Sequence, residues 1–310
     1  MKSGGKDFLR MAVGALITLG VILVVLHFQN GHSPAEQVAF KAKRVDLVEQ
    51  MRLDLASASE AEKSAVLAIT DEDSQKFADQ ARAATAQVDQ ERNQLKDLMA
   101  TSGSSKEKEL LDQFSKAFAE FQTIDKDLLV LAVKNTNLKA YSLAFGPAAD
   151  ALNDMNTALS HLVTKSAASP EARDVALLAF GAQTAALRIQ ALLAPHIAEE
   201  NDAKMDAMEA RMTKDDQEVH QNLDALAALS MFNADTDLAA ATSAYARFGD
   251  IRAKIIPLSR ENTNVRSLAI SLNQKRKVML VCQDTLASLQ QAILDEPIPG
   301  VDYGRPVLPR

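Results

Sequence analysis

The stretch Ala117-Phe118-Ala119-Glu120-Phe121, followed by Ile124 and by Asn135-Thr136-Asn137, returns 127 residues later as Ala244-Tyr245-Ala246-Arg247-Phe248, Ile251 and Asn262-Thr263-Asn264. The same offset places Leu159 over Leu286 and Met155 over Cys282. Agreement without gaps over this length makes the chain two copies of one unit. Within each copy apolar residues recur at spacings of three and four, the period of a helix with one buried stripe. Phe77, Ala81, Ala84, Val88, Leu95 and Leu98 form one seam with a polar skip at Glu91, and Leu111, Phe114, Phe118, Phe121, Leu128 and Leu131 form another. No stretch alternates with period two for long enough to predict a strand.

The spacing predicts eight helices near 34–71, 74–100, 105–134, 137–165, 170–199, 202–229, 236–260 and 263–294. Ser33 and Ser169 each precede a proline and are expected as N-caps, with Pro34 and Pro170 at the first helical position. Ser104 and Glu107 have the spacing of a capping box, and Asp235 to Asp237 stand in its place in the second copy. Asn135 and Asn262 are expected as caps where the third and fourth helices of each copy meet. Phe145-Gly146-Pro147 must kink or interrupt its helix. Four helices per copy predict an all-α chain of two tandem antiparallel four-helix bundles, 34–165 and 170–294. The two are expected side by side.

The ends read differently. Residues 8–28 form an apolar run of membrane-spanning length, preceded by Lys2, Lys6 and Arg10. The positive-inside rule then predicts a single N-terminal transmembrane anchor with a cytoplasmic stub and the bulk of the chain periplasmic, at a bacterial inner membrane. Residues 295–310 hold four of the nine prolines and are expected to form an extended tail. Pro297, Pro299, Tyr303, Arg305 and Pro306 are its candidate partner-binding residues.

Of 310 residues, 47% are hydrophobic and 5% aromatic, and the net charge is −7. Nucleic acid is not an expected partner, because a basic face is missing. A single cysteine excludes an internal disulfide, and Met155 as the counterpart of Cys282 marks that thiol as a seam residue. No histidine has a Glu three residues before it, and no phosphate loop or nucleophile motif occurs, so no metal, no cofactor and no enzyme activity are expected. The histidines read as solvated or helix-end residues, and Met205, Met208 and Met212 as one core face. Glu62, on the stripe of Leu55, Ala58, Ala65 and Ile69, needs a partner, either an interhelical cation or a cationic ligand. Arg82, Arg92, Arg188 and Arg211 are candidates for an acidic ligand between helices.

Glu62-Lys63 to Asp73, the heptad helix after it, Ala132-Val133-Lys134-Asn135-Thr136-Asn137-Leu138-Lys139-Ala140 and Gly146-Pro147-Ala148 together resemble the four-helix-bundle sensor domain of bacterial chemoreceptors. The resemblance covers 34–165 and extends more weakly over 170–294. It implies a bundle that transmits ligand binding through the membrane to a signalling coiled coil. A second span and a coiled coil are not seen, which favours a non-catalytic, membrane-anchored scaffold or accessory subunit of a larger inner-membrane complex. The alternative is a small-molecule sensor subunit that signals through a separate partner protein.

Overall fold

A computed structural model describes residues 33–298 of the chain; the expected anchor at 8–28 and the tail residues 299–310 lie outside them. The described residues hold helices α1 (Pro34–Leu67), α2 (Asp71–Ser102), α3 (Ser105–Ala132), α4 (Thr136–Phe145), α5 (Pro147–Lys165), α6 (Ala172–Ala198), α7 (Asp202–Ala227), α8 (Thr236–Glu261), α9 (Thr263–Ile270) and α10 (Arg276–Asp295). A short 3₁₀ turn lies at Ser230–Phe232, and a π turn at Ser271–Lys275 joins α9 to α10. Among the described residues the fold is therefore all-α.

Local chemistry explains most helix ends. Ser33 Oγ accepts from the Glu36 amide at 3.3 Å while the Glu36 carboxylate accepts from the Ser33 amide at 2.8 Å, a closed capping box before Pro34. Asp235 accepts from the amides of Asp237 and Leu238, and Asn201 from that of Lys204. The expected cap at Ser169 is corrected: α6 begins at Ala172, and Ser169 Oγ instead accepts from the Glu171 amide at 2.9 Å, holding a turn. The expected box at Ser104 is one-sided. Ser104 Oγ accepts from the Glu107 amide at 3.3 Å, but the Glu107 carboxylate turns away to Arg44. Gly146 separates α4 from α5, with Pro147 opening α5 where its missing N–H leaves no bond unmade.

The described chain falls into two compact units. Unit 1 contains 33–56, 85–118 and 280–298, and unit 2 contains 57–84 and 119–279. In unit 1 the end of α10 is tied to α1. Lys41 donates to the carbonyls of Leu294 and Glu296 at 2.7 and 2.6 Å, and Arg52 donates to Gln290 at 2.8 Å.

Unit 2 holds a complete four-helix bundle made from α4 with α5, α6, α7 and α8. Its core is almost entirely Ala, Leu, Ile, Val and Met, with Phe232, Tyr245 and Phe248. A second cluster in the same unit gathers Ala65 and Val66 of α1, Ala78 and Ala81 of α2, and Leu128, Leu129 and Ala132 of α3, with Ile270 of α9 packed against it. The fourth helix of each copy therefore packs with the first three of the other: α5 lies on α8, and α9 joins α1, α2 and α3. The expected bundles 34–165 and 170–294 are thereby corrected in unit 2, where α4 and α5 pack with α6, α7 and α8 across that division.

Candidate functional site

The exchange is fastened where the copies cross. Asn135 and Asn262 both adopt the left-handed region, at φ 50° and 53°, which asparagine tolerates better than most residues. Neither side chain caps the helix that follows, which corrects the expected role. The first amides of α4 and α9, which have no intrahelical acceptor, are satisfied by the opposite copy instead. The Thr136 amide donates to Thr263 Oγ1 at 3.2 Å and the Thr263 amide to Thr136 Oγ1 at 3.1 Å. In the same way the Asn137 amide donates to Asn264 Oδ1 at 3.2 Å, and the Asn264 amide to Asn137 Oδ1 at 3.1 Å. Asn137 Nδ2 further donates to Asn262 Oδ1 at 2.7 Å, and Asn264 Nδ2 to Asn135 Oδ1 at 3.0 Å. Asn135 Nδ2 also reaches Ser74 Oγ at 2.9 Å, and Asn262 Nδ2 the Glu199 carbonyl at 2.6 Å, which ties in the first turn of α2 and the loop before α7.

Beyond this crossing lies a buried charge cluster. Lys275, at the end of the π turn, is 2% exposed and has Nζ 3.2 Å from Glu62 Oε2 of α1. The same ammonium bonds Asp125 of α3 and stands 4.6 Å from the centroid of the Phe121 ring. Both carboxylates and the ring face thus draw on one ammonium. Glu62 is equally buried, and its Oε1 has no hydrogen-bond partner. Such an oxygen costs on the order of 1–3 kcal/mol or more when it belongs to a charged group. The π turn explains how Lys275 gets there. Ser267, Ser271 and Lys275 are all buried at four-residue steps, each of which drifts by about 40° in an ordinary 3.6-residue turn. A wider turn absorbs that drift and keeps all three facing inward.

Beside the cluster is a cavity of about 290 Å³ lined by Ser59, Glu62, Lys63, Ser271, Leu272, Lys275, Arg276 and Met279. None of Arg82, Arg188 and Arg211 lines it. Arg82 pairs with Asp79 one turn away at 2.7 Å, and Arg92 with Asp89 at 2.9 Å. Arg188 joins α6 to α7 through Asp215 at 2.8 Å and through Glu218, and Arg211 is exposed. Ile69, expected beside Glu62 on the inner stripe, is 80% exposed because α1 stops at Leu67.

Sequence reading passed over Asp125 and Lys275, and gave His196 no part in a network. The first two interrupt apolar seams, a signal of the same kind as Glu62 and Glu91. His196, expected as a solvated or helix-end residue, stands in the last turn of α6 and is fully buried there: Nδ1 lies 2.7 Å from Ser259 Oγ, and Nε2 lies 2.8 Å from Glu209 Oε1. Burial raises the Glu209 carboxyl, but Arg260 and His196 outweigh it and hold the group below its ordinary range. The order Ser, His, Glu has the connectivity of a hydrolytic triad. Ser259 and His196 are both fully buried, however, so the network joins α6, α7 and α8 and presents no nucleophile to solvent. Of the other histidines described, His161 and His220 are largely exposed. Met205 and Met212 are buried, and Met208 packs on the same core.

Unit 1 carries two carboxyls with displaced titration. Glu107 is fully buried against Arg44, which also holds Glu296 at 3.0 Å. Burial first, and then the Glu296 carboxyl, to which the protonated Glu107 donates, push Glu107 up to about 7 against the pull of Arg44. Glu91, the skip in the α2 seam, is likewise raised to about 7, by burial and then by the neighbouring charge of Asp54. Pro297 is exposed at the start of the tail; Pro299, Tyr303, Arg305 and Pro306 lie outside the described residues. Helix α6 is long and apolar enough to cross a membrane by length and composition, yet Val175, Ala182, Ile189 and Leu193 on it form part of the unit 2 core.

Residues 46–172 match the four helix bundle sensory module for signal transduction. The matched stretch is 127 residues long, the spacing of the repeat, and takes in most of the first copy. No match was found among curated proteins. The chemoreceptor-type resemblance therefore stands for the first copy, while α7, α8, α9 and α10 lie beyond the match. The matched stretch does not pack as one bundle, because its last helix, α5, lies against α8 and α6.

Proposed function

We propose that the chain is a non-enzymatic sensory subunit of chemoreceptor type, held at a membrane by residues 8–28, that responds to a small molecule and passes the response to a separate signalling protein. The observation that carries this reading is the match of residues 46–172 to a sensory module. The buried charges support it, since a module built only to be rigid gains nothing from Glu62, Asp125 and Lys275 in its core. The bulk of the chain then lies on the periplasmic side, where such modules meet their signals, and the proline-rich end at 295–310 serves as the contact to the partner.

The scaffold reading has its own support in the α4 to α8 bundle, whose core is rich in Ala and Leu and encloses the buried His196 network. Hydrogen exchange on the full chain in mild detergent separates the two readings. A sensor shows helix protection that changes with the small-molecule fraction of a cell extract. Exchange unmoved by every extract, together with stable co-purification in a large complex, establishes the scaffold.

A further inference from the structure

We propose that the cavity between α1 and the π turn is a binding site for a small primary ammonium compound, whose N–H group donates to Glu62 Oε1. The argument begins with charge. Inside the site stand two carboxylates, Glu62 and Asp125, and one ammonium, Lys275, all at most 4% exposed, so the buried set lacks one positive charge. Lys275 does not supply the missing donor: its Nζ lies against Glu62 Oε2, Asp125 and the Phe121 face. Glu62 Oε1 is thus an acceptor with no partner within the protein, and Glu62 lines a cavity of about 290 Å³.

The walls define the rest of the ligand. Ser59 and Ser271 line the same cavity with residues that carry hydroxyls, suited to further N–H groups or to a ligand hydroxyl, while Leu272 and Met279 offer apolar surface to a short carbon chain. Lys63 and Arg276 line the same cavity from exposed positions, where long side chains keep their charge in water. Seam residues alone would give a closed core. The π turn brings Ser271 and Lys275 inward together and leaves the space beside them open.

This inference deepens the sensory reading and rests on it for its biological meaning, but the binding itself is tested separately. Isothermal titration of the full chain in detergent with ethanolamine is expected to give saturable one-site binding. Tetramethylammonium, which carries the charge without an N–H donor, is expected not to bind. Glu62→Gln should weaken ethanolamine binding by about tenfold or more. Leu272→Trp, at a residue 55% exposed, should obstruct the cavity without disturbing the core, and the circular dichroism of both variants checks that they fold.

Absence of saturable ethanolamine binding overturns the proposal. So does equal binding of tetramethylammonium, or binding that survives both substitutions. Glycine binding more tightly than ethanolamine also overturns it, because the rim cations would then be selecting a carboxylate. If ethanolamine binds as described but leaves hydrogen exchange unchanged, the site stands and the sensory reading fails. If an extract alters exchange while ethanolamine does not bind, the reverse holds.

Discussion

Lys275 and Ala148 occupy the same position in the two copies, and both are buried, one among charges and the other in an apolar core. The backbone is irregular in both places. The π turn Ser271–Lys275 falls, by the same offset, on Ala144 to Ala148, where Gly146-Pro147 breaks the helix. Asp125 has Arg252 as its counterpart, which points to Asp216 at 3.0 Å instead of into the core. One architecture is thus built once with a buried ion cluster and once without. The difference teaches that the cluster is not needed to make the fold, so its cost must be accounted for by something other than folding.

The most damaging way to break the contrast is Lys275→Ala, which makes the first position like the second but leaves two carboxylates buried together. A loss of about 3–5 kcal/mol is expected in denaturant unfolding. Replacing all three charges by apolar residues, Glu62→Leu, Asp125→Leu and Lys275→Met, should restore most or all of that loss. A triple variant less stable than Lys275→Ala alone would mean that the cluster does stabilise the fold.

The crossing comes next in size. Thr136→Val and Thr263→Val each remove one acceptor for a buried amide and should cost about 1–3 kcal/mol apiece. Because each threonine serves the other, the double variant should lose measurably less than the two losses added together. Strict additivity in the cycle would show that the reciprocal bonds do not act as a unit.

Smaller again is a pH effect confined to unit 1. Glu91 and Glu107 are raised from 4.5 to about 7 on folding, so the folded state holds their protons more tightly than the unfolded chain. Their contribution is present in full below the unfolded value and is lost as pH rises through about 7, so Tm should fall between pH 5 and pH 8. Glu91→Gln should flatten that slope; a Tm that rises over the same interval would contradict the assignment. The smallest effect is expected for Arg82→Ala. Its one-turn pair with Asp79 is exposed, and Tm should not change measurably.

The buried seams were legible in the sequence. Phe118 and Tyr245, Phe121 and Phe248, Leu159 and Leu286, and Met155 and Cys282 are buried in both copies. The exchange of fourth helices was not legible, for a physical reason. When two copies carry the same stripe, either fourth helix complements either set of three, and periodicity cannot distinguish the two packings. The candidate site was half visible. Glu62 announced itself as a carboxylate on an apolar stripe, and Asp125 and Lys275 are breaks of the same kind. That Glu62 Oε1 is left without a donor depends on which way Lys275 reaches, and no spacing encodes that.

The reciprocal bonds at the crossing carry a further consequence, for the order of events as the chain is made. Residue i binds j and its counterpart j binds i, the signature of a two-fold interface, here folded into one polypeptide. A nascent chain that has reached only Lys165 has α1, α2 and α3 waiting for a helix not yet synthesised, and α5 waiting for α8. Lys275 must find Asp125 across 150 residues. Completion is deferred until almost the whole chain has emerged, and proteins that bind exposed apolar stripes have that interval in which to act on it.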